Sequence, residues 1–248
     1  MLAATGQDVV HIDASGTKTV IYDGDPGTGR PRVSEGVDGF VVTHAGQSQV
    51  YDASGSKKAN VALAATDYVR LVPGSLGTFW SRTGSADPEN PRVLQGRIVN
   101  ELGAVTAQFT AKDLAHSRVS KSHVVWATRS TVTKTSLAGA KVWSKATPVH
   151  RLEIDDNARF WIANRSGDTR VVELFDNAST LGSSSFEAPI WNLAIAPQGQ
   201  YAAANSRGVA RLFKAGKTFA QIQLGEAFPV SLGVSDGGYV LLGLQRRK

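Results

Sequence analysis

The side chains able to carry chemistry are few and widely spaced. The five histidines (His11, His44, His116, His123 and His150) form no HExxH or other metal-ligand spacing. The chain has no cysteine, which removes thiol nucleophiles, zinc–thiolate sites and disulfides. No Gly-x-Ser-x-Gly elbow occurs. Ser54-Gly55-Ser56-Lys57 satisfies Ser-x-x-Lys, but it sits in a hairpin turn without the companion motifs of that chemistry. Asp23-Gly24-Asp25 opens like a calcium loop, yet Pro26 follows and no later glutamate closes it. These patterns predict no catalytic residues, no metal and no cofactor.

A basic series is more regular. His44 follows the run Phe40–Thr43, Arg82 follows Phe79–Ser81 and Arg129 follows Val124–Thr128. Arg165 follows Phe160–Asn164, Arg207 follows Tyr201–Ser206 and Arg246 follows Tyr239–Gln245. If those runs are equivalent strands, all six cations leave them at one end and ring one face. Arginine there offers planar, two-pronged contact to carboxylate, phosphate or sulfate. The net charge of +6 and pI near 9.6 also favour an anionic partner. Against this, an arginine in a tight turn can serve only to solvate it. The turns expected on the opposite face hold Glu35, Asp38, Asp155, Asp156 and Asp236, with Asp13, Asp52, Glu101 and Asp176. Lys57, Lys58, Lys121, Lys214 and Lys217 dilute that acidity.

The elements that must position these residues are clearest in Pro189–Gly225. Ile190–Ile195, Tyr201–Asn205, Val209–Phe213 and Thr218–Leu224 are short apolar runs separated by Pro197-Gln198-Gly199, Ser206-Arg207-Gly208 and Lys214-Ala215-Gly216. Four short strands joined by tight turns make an antiparallel meander. Copies begin at Pro148 and Pro229, so the unit recurs about every forty residues, the period of a β-propeller. The sequence therefore predicts an all-β fold: a six-bladed β-propeller of four-stranded antiparallel blades in one domain over 1–248. Blades are expected at 30–65, 66–111, 112–147, 148–188 and 189–228, with a last one made from 1–23 and 229–248. Sharing that blade between the termini closes the ring and removes exposed sheet edges. Leu2–Thr5 and Tyr239–Gly243 compete for its second strand, which leaves seven blades with one incomplete as the alternative.

The turn after the third strand repeats most closely: His11-Ile12-Asp13-Ala14-Ser15-Gly16, Val50-Tyr51-Asp52-Ala53-Ser54-Gly55 and Leu174-Phe175-Asp176-Asn177. Asp can bond its own backbone two residues on, and Gly takes the left-handed position. With Ile195–Tyr201 and Val234–Tyr239, these turns resemble WD-repeat and quinoprotein-like propellers over nearly the whole chain. No Gly-His dipeptide and no Trp-Asp strand end accompany them. The resemblance implies a rigid platform for partners.

Trp80, Trp126 and Trp161 share one register on the second strands and are expected in the core between blades. Met1–Gly6 lacks the basic and apolar regions of a signal peptide, and the longest apolar runs are too short to span a bilayer as helices. The compartment is left open. The expected function is a non-enzymatic, monomeric scaffold docking an acidic protein or peptide through His44, Arg82, Arg129, Arg165, Arg207 and Arg246, with the loops Asp23–Pro31 and Thr83–Pro91 on the same face. A sequence-tolerant nucleic-acid or polyanion binder is the first alternative; it would need a continuous basic groove and stacking aromatics. An enzyme at the channel mouth, near Arg70, His150 and Arg151, is the second.

Overall fold

In a computed structural model, residues 2–5, 8–12, 15–23, 31–35, 39–44, 47–62, 68–72, 79–85, 93–99, 104–112, 114–225 and 227–245 are described. They belong to two compact units, Met1–Lys112 and Asp113–Lys248. The division falls beside the blade boundary expected at 111–112.

The first unit begins with β1 (Leu2–Thr5), β2 (Asp8–Ile12) and β3 (Lys18–Tyr22), a three-stranded antiparallel sheet. Next come β4 (Arg32–Glu35), β5 (Gly39–His44), β6 (Gln47–Asp52) and β7 (Lys57–Ala62) in a four-stranded meander. A second meander has β8 (Tyr68–Leu71), β9 (Phe79–Ser85), β10 (Val93–Val99) and β11 (Val105–Lys112).

The second unit repeats the pattern. Its first sheet is β12 (Leu114–Val119), β13 (His123–Thr128), β14 (Thr131–Ser136) and β15 (Lys141–Ala146). Its second is β16 (Val149–Ile154), β17 (Phe160–Arg165), β18 (Val171–Asp176) and β19 (Ser179–Ser185). Its third is β20 (Ile190–Ile195), β21 (Tyr201–Ser206), β22 (Val209–Lys214) and β23 (Lys217–Gln223). β24 (Phe228–Val234) and β25 (Val240–Gln245) form a two-stranded sheet.

The termini differ from expectation. Leu2–Thr5 pairs in register with Asp8–Ile12, and Val240–Gln245 pairs with Phe228–Val234. Among the described residues the strands near each terminus pair with their own sequence neighbours, in sheets of three and two. Both candidates for the contested second strand are used, each beside its own sequence neighbour, where the connecting turn is short and closure is entropically cheapest. Thr83–Ser85, expected in a loop, extends β9. The rest of that loop, like residues 24–30 of the earlier one, lies outside the described residues.

Two backbone irregularities recur and shape each meander. In five sheets the pairing of third and fourth strands slips by one residue at the same place, after Val50, Ile98, Lys134, Leu174 and Leu212. A bulge there raises the local twist and bends the outer strand. The next residue is a buried aromatic in three of them, Tyr51, Phe175 and Phe213, and a buried threonine, Thr135, in a fourth. The inner and second strands slip between Leu114/His116, Val149/Arg151, Ile190/Asn192 and Pro229/Ser231.

The core lies between sheets. Val125, Ala127 and Val132 of one sheet pack with Leu152, Trp161 and Phe175 of the next. Ile162, Val172 and Leu174 pack in turn with Leu193, Ala204 and Phe213. In the first unit Val9, Phe40, Val42 and Tyr51 form a similar seam. Burying each valine, leucine, isoleucine or phenylalanine here contributes about 1.5–3 kcal/mol. Trp161 is buried in this core as expected, second in β17; Trp126 lies fourth in β13 and is half-buried, so the two do not share one register. The side chain of Trp80 is outside the described residues.

Candidate functional site

Three of the six predicted cations stand at equivalent ends of consecutive sheets. Arg129 is in the turn between β13 and β14, Arg165 ends β17, and Arg207 is in the turn between β21 and β22; all three are exposed. Backbone hydrogen bonds tie these ends together. The Thr147 amide donates to the Ser130 carbonyl at 2.9 Å, and the Ser166 amide donates to Pro148 at 3.2 Å. One linker, Thr147-Pro148, thus joins the Arg129 turn to the end of the Arg165 strand. The Ile190 amide donates to Thr169 at 2.9 Å, and the Ser206 hydroxyl to the Ala188 carbonyl at 2.8 Å. The linker over 186–190 therefore joins the Arg165 loop to the Arg207 turn.

The charges at this edge are partly compensated. Arg165 donates to Glu173 on the neighbouring strand at 2.7 Å, and Arg170 pairs with Asp168 at 2.9 Å. The carboxylate partners hold both guanidiniums above their ordinary pKa, and Arg170 holds the Asp168 carboxyl below its usual range. Among the described residues Arg129 and Arg207 form no ion pair.

The other predicted cations are placed differently. His44 is the last residue of β5 and buried, with its Nδ1 2.6 Å from the Tyr22 hydroxyl. It packs edge-on against the Tyr22 ring. Arg82 is inside β9 in register with Tyr68 and Gly96, not in a turn after the strand. Arg246 lies outside the described residues, as do Asp13, Asp38 and Glu101.

The opposite sheet ends are joined as well. The Lys121 amide donates to Asp156 at 3.2 Å, the Asp156 amide to Pro197 at 2.9 Å, and the Gln198 amide to the Asp236 carboxylate at 2.8 Å. Successive turns between first and second strands are therefore linked across four sheets. Acids here have partners: Asp156 lies 3.7 Å from Lys121, and Asp176 lies 2.9 Å from Arg159. The Arg159 guanidinium holds the Asp176 carboxyl below the usual carboxylate range.

On the inner strands Arg118 pairs with Glu153 through Nε at 2.6 Å and through a second, Nη2–Oε1 contact. Arg151 donates to the Trp191 carbonyl, and Asn192 to the Pro229 carbonyl at 3.3 Å. These contacts tie each inner strand of the second unit to the next. They engage Arg151, one of the residues around which an enzyme site at the channel mouth would be built. Among the described residues no group of three His, Asp or Glu could hold a metal ion.

Sequence reasoning missed three features. Asn164 and Asn205, fifth in β17 and β21, are buried and accept the amides of Arg151 and Asn192 just past the inner-strand bulges, at 3.0 and 3.1 Å. Aligning FWIANR with YAAANS would have exposed them. Lys134 is buried at the position Leu174 and Leu212 hold in their sheets. The Arg118–Glu153 pair had no signal in either strand alone.

No protein-family model matches the chain, and no curated protein sequence does. Solved structures do. The chain is similar to Kluyveromyces lactis Hsv2 with its loop 6CD replaced by a Gly-Ser linker: TM-score 0.68, 12% identity, covering 100% of this chain and 94% of that one. It is similar to the β-propeller domain of Myceliophteria thermophila Cps50 (Swd1), with TM-score 0.65, 12% identity, and 94% and 86% covered. A chain in a mitotic checkpoint complex matches with TM-score 0.66, 10% identity, and 98% and 80% covered. At such identities the likeness concerns the fold alone. Meanders of four antiparallel strands repeating about every forty residues, with cores between successive sheets, agree with it. The fold of the chain is that of a β-propeller.

Proposed function

We propose that the chain is a non-enzymatic interaction scaffold that docks an acidic protein or peptide on the sheet ends carrying Arg129, Arg165 and Arg207. The observation that supports this reading is the set of linkers, Thr147-Pro148 and 186–190, that fix these three exposed arginines along one edge of consecutive sheets. Among the described residues Arg129 and Arg207 form no ion pair, and Arg165 is shared with Glu173. Arg246 and the two long loops belong to the same proposed face on sequence grounds. His44 and Arg82 are set aside, the first because its ring nitrogen is bonded to Tyr22 and the second because it lies within a strand. Scaffolding of this kind suits a rigid platform whose inner strands are cross-linked by the Arg118–Glu153 pair and the Arg151 and Asn192 hydrogen bonds. A single closed ring over 1–248 is part of the same proposal.

The test is salt-dependent binding to an acidic peptide such as oligoglutamate. Exposed charges act together at low salt and are screened beyond about 8 Å at physiological ionic strength. Arg129→Glu with Arg207→Glu should remove the binding, while Lys121→Glu with Lys217→Glu at the opposite ends should leave most of it. Equal loss in both pairs would reduce the effect to net charge and overturn the proposal. Tighter binding to single-stranded oligonucleotide than to oligoglutamate at equal charge would favour the nucleic-acid reading.

A further inference from the structure

The sheets β16–β19 and β20–β23 leave a cleft of about 310 Å³ between them. Leu174, Phe175, Ile195, Ala202 and Phe213 line it, and Lys214 and Gln200 are polar side chains on its wall. The preceding seam shows what fills the equivalent space. There Trp161, opposite Phe175 in register, stacks on Trp143, opposite Lys134, with ring centroids 6.0 Å apart and planes 20° apart. At the cleft the same two register positions hold Ala202, opposite Phe213, and Gly182, opposite Leu174. Two indoles in one seam thus correspond to a methyl group and a hydrogen in the next.

The backbone does not close in over the whole gap. A Cβ on Gly182 would lie 2.1 Å from the Gly216 carbonyl oxygen, and one on Gly216 would lie 2.7 Å from Leu181. The turn between β22 and β23 is therefore already in contact with β19, and the remaining space lies further in, against Ala202. Lys214 beside it is exposed. Its ammonium lies 5.2 Å from the Tyr201 ring and 5.8 Å from the Phe219 ring, and it forms no ion pair among the described residues. The next strand starts with a second exposed cation, Lys217.

We propose that this cleft receives a tryptophan side chain from an acidic peptide segment, with the indole against Ala202 and Phe213 and a flanking carboxylate on Lys214. The occupant is argued from the neighbouring seam, where the chain's own indoles fill the corresponding positions, and from Lys214, an exposed cation with no ion pair among the described residues. An aromatic anchor in an apolar pocket with a charged neighbour is the usual form of an interface hot spot. The cleft lies between turns at the sheet ends opposite Arg129 and Arg207, so this inference stands apart from the scaffold reading above.

The probe is the blocked peptide acetyl-Asp-Asp-Trp-Asp-Asp-amide made with 5-fluorotryptophan, titrated into the full chain and followed by ¹⁹F NMR. A saturable shift is expected, and the peptide with Ala for Trp should fail to compete. Ala202→Phe, which fills the cleft, and Lys214→Glu, an exposed change that needs no repacking, should each weaken binding about tenfold or more. Lys214→Glu decides alone if Ala202→Phe does not fold. Arg129→Glu with Arg207→Glu should leave this binding intact even where it removes oligoglutamate binding. No saturable shift, equal competition by the Ala peptide, or loss only in the arginine variants would each overturn the assignment.

Discussion

Asn164 and Asn205 hold the same position in successive second strands, and each accepts the amide just past an inner-strand bulge, Arg151 in one sheet and Asn192 in the next. A bulge breaks the ladder, so one amide per sheet must find another acceptor, and a buried side-chain oxygen supplies it.

Replacing either asparagine with alanine strands that amide. Asn164→Ala and Asn205→Ala should each destabilise by about 1–3 kcal/mol, the range for a buried group left unsatisfied. Chemical denaturation measures this directly. A change below about 0.5 kcal/mol, the level of a neutral surface substitution, would show that water reaches the bulge.

Most strands were legible because Gly, Asp and Pro turns punctuate apolar runs of nearly constant length, and their ends were placed within about two residues. What could not be read were residues whose role depends on a distant neighbour. Arg82 looked like a turn residue because Ser81–Ser85 has no apolar alternation, yet the pairing with β10 carries the strand through it. His44 was read as exposed because its partner, Tyr22, is on another sheet. Lys134 looked like a solvated strand residue, since sequence alone cannot show that both faces of β14 are covered. Register at the termini was equally hidden: two segments fit one strand position, and only pairing distinguishes them.

Asp52 yields a pH prediction. Its carboxylate accepts the amides of Ser54 at 2.9 Å and Ser56 at 3.0 Å, and Lys58 lies 2.8 Å away. The Lys58 ammonium, then the Ser54 hydrogen bond, hold the carboxyl far below the usual carboxylate range. A depressed folded pKa means stability present above the unfolded value, about 3.9, and lost as pH falls through the folded value. Asp52→Asn should therefore lower the melting temperature at neutral pH, and the difference should shrink steadily below about pH 4. A difference that does not change with pH would assign the effect to turn geometry.

The β22–β23 turn carries a strained alanine. Ala215 has φ of 48° and is followed by Gly216 at 79°, a pair of left-handed residues that suits a two-residue hairpin. The equivalent turn has Asn177 at 49°. A left-handed alanine costs about 1–2 kcal/mol, and glycine gives back about 0.5–1 of that in unfolded-state entropy. Ala215→Gly should therefore stabilise by about 0.5–1 kcal/mol. Gly216→Ala should destabilise by more than about 1 kcal/mol, because it adds a contact with Leu181 to the same strain. Calorimetry on both variants checks the pair, and a stabilising Gly216→Ala would refute the account.

Lys134 is a buried charge whose removal should stabilise the chain. It is 6% exposed at a strand position that is Leu174 in one sheet and Leu212 in the next, directly opposite Trp143. Burial pushes its ammonium below the ordinary lysine pKa, against the pull of Asp155. Asp155, 3% exposed, is pushed up by burial, against the amides of Phe160 and Arg159 and the charge of Lys134. The third titratable group here, His123, is pushed down by burial and then by Lys134. No ion pair forms between Lys134 and Asp155. A lysine whose folded pKa lies below its unfolded value, about 10.4, contributes stability only above that value and loses it as pH falls through the folded one. At neutral pH the buried ammonium is thus a net cost. Without Lys134 the Asp155 carboxylate still accepts the Arg159 and Phe160 amides, at 2.7 and 3.0 Å. Lys134→Leu should stabilise the chain by about 1–2 kcal/mol near pH 7, as apolar replacements of buried charges often do. The gain should fade above about pH 10, where the lysine is neutral in both states. Urea denaturation at pH 7 and pH 10.5 tests both parts, and a destabilised Lys134→Leu would mean that attraction to Asp155 outweighs the desolvation of the lysine.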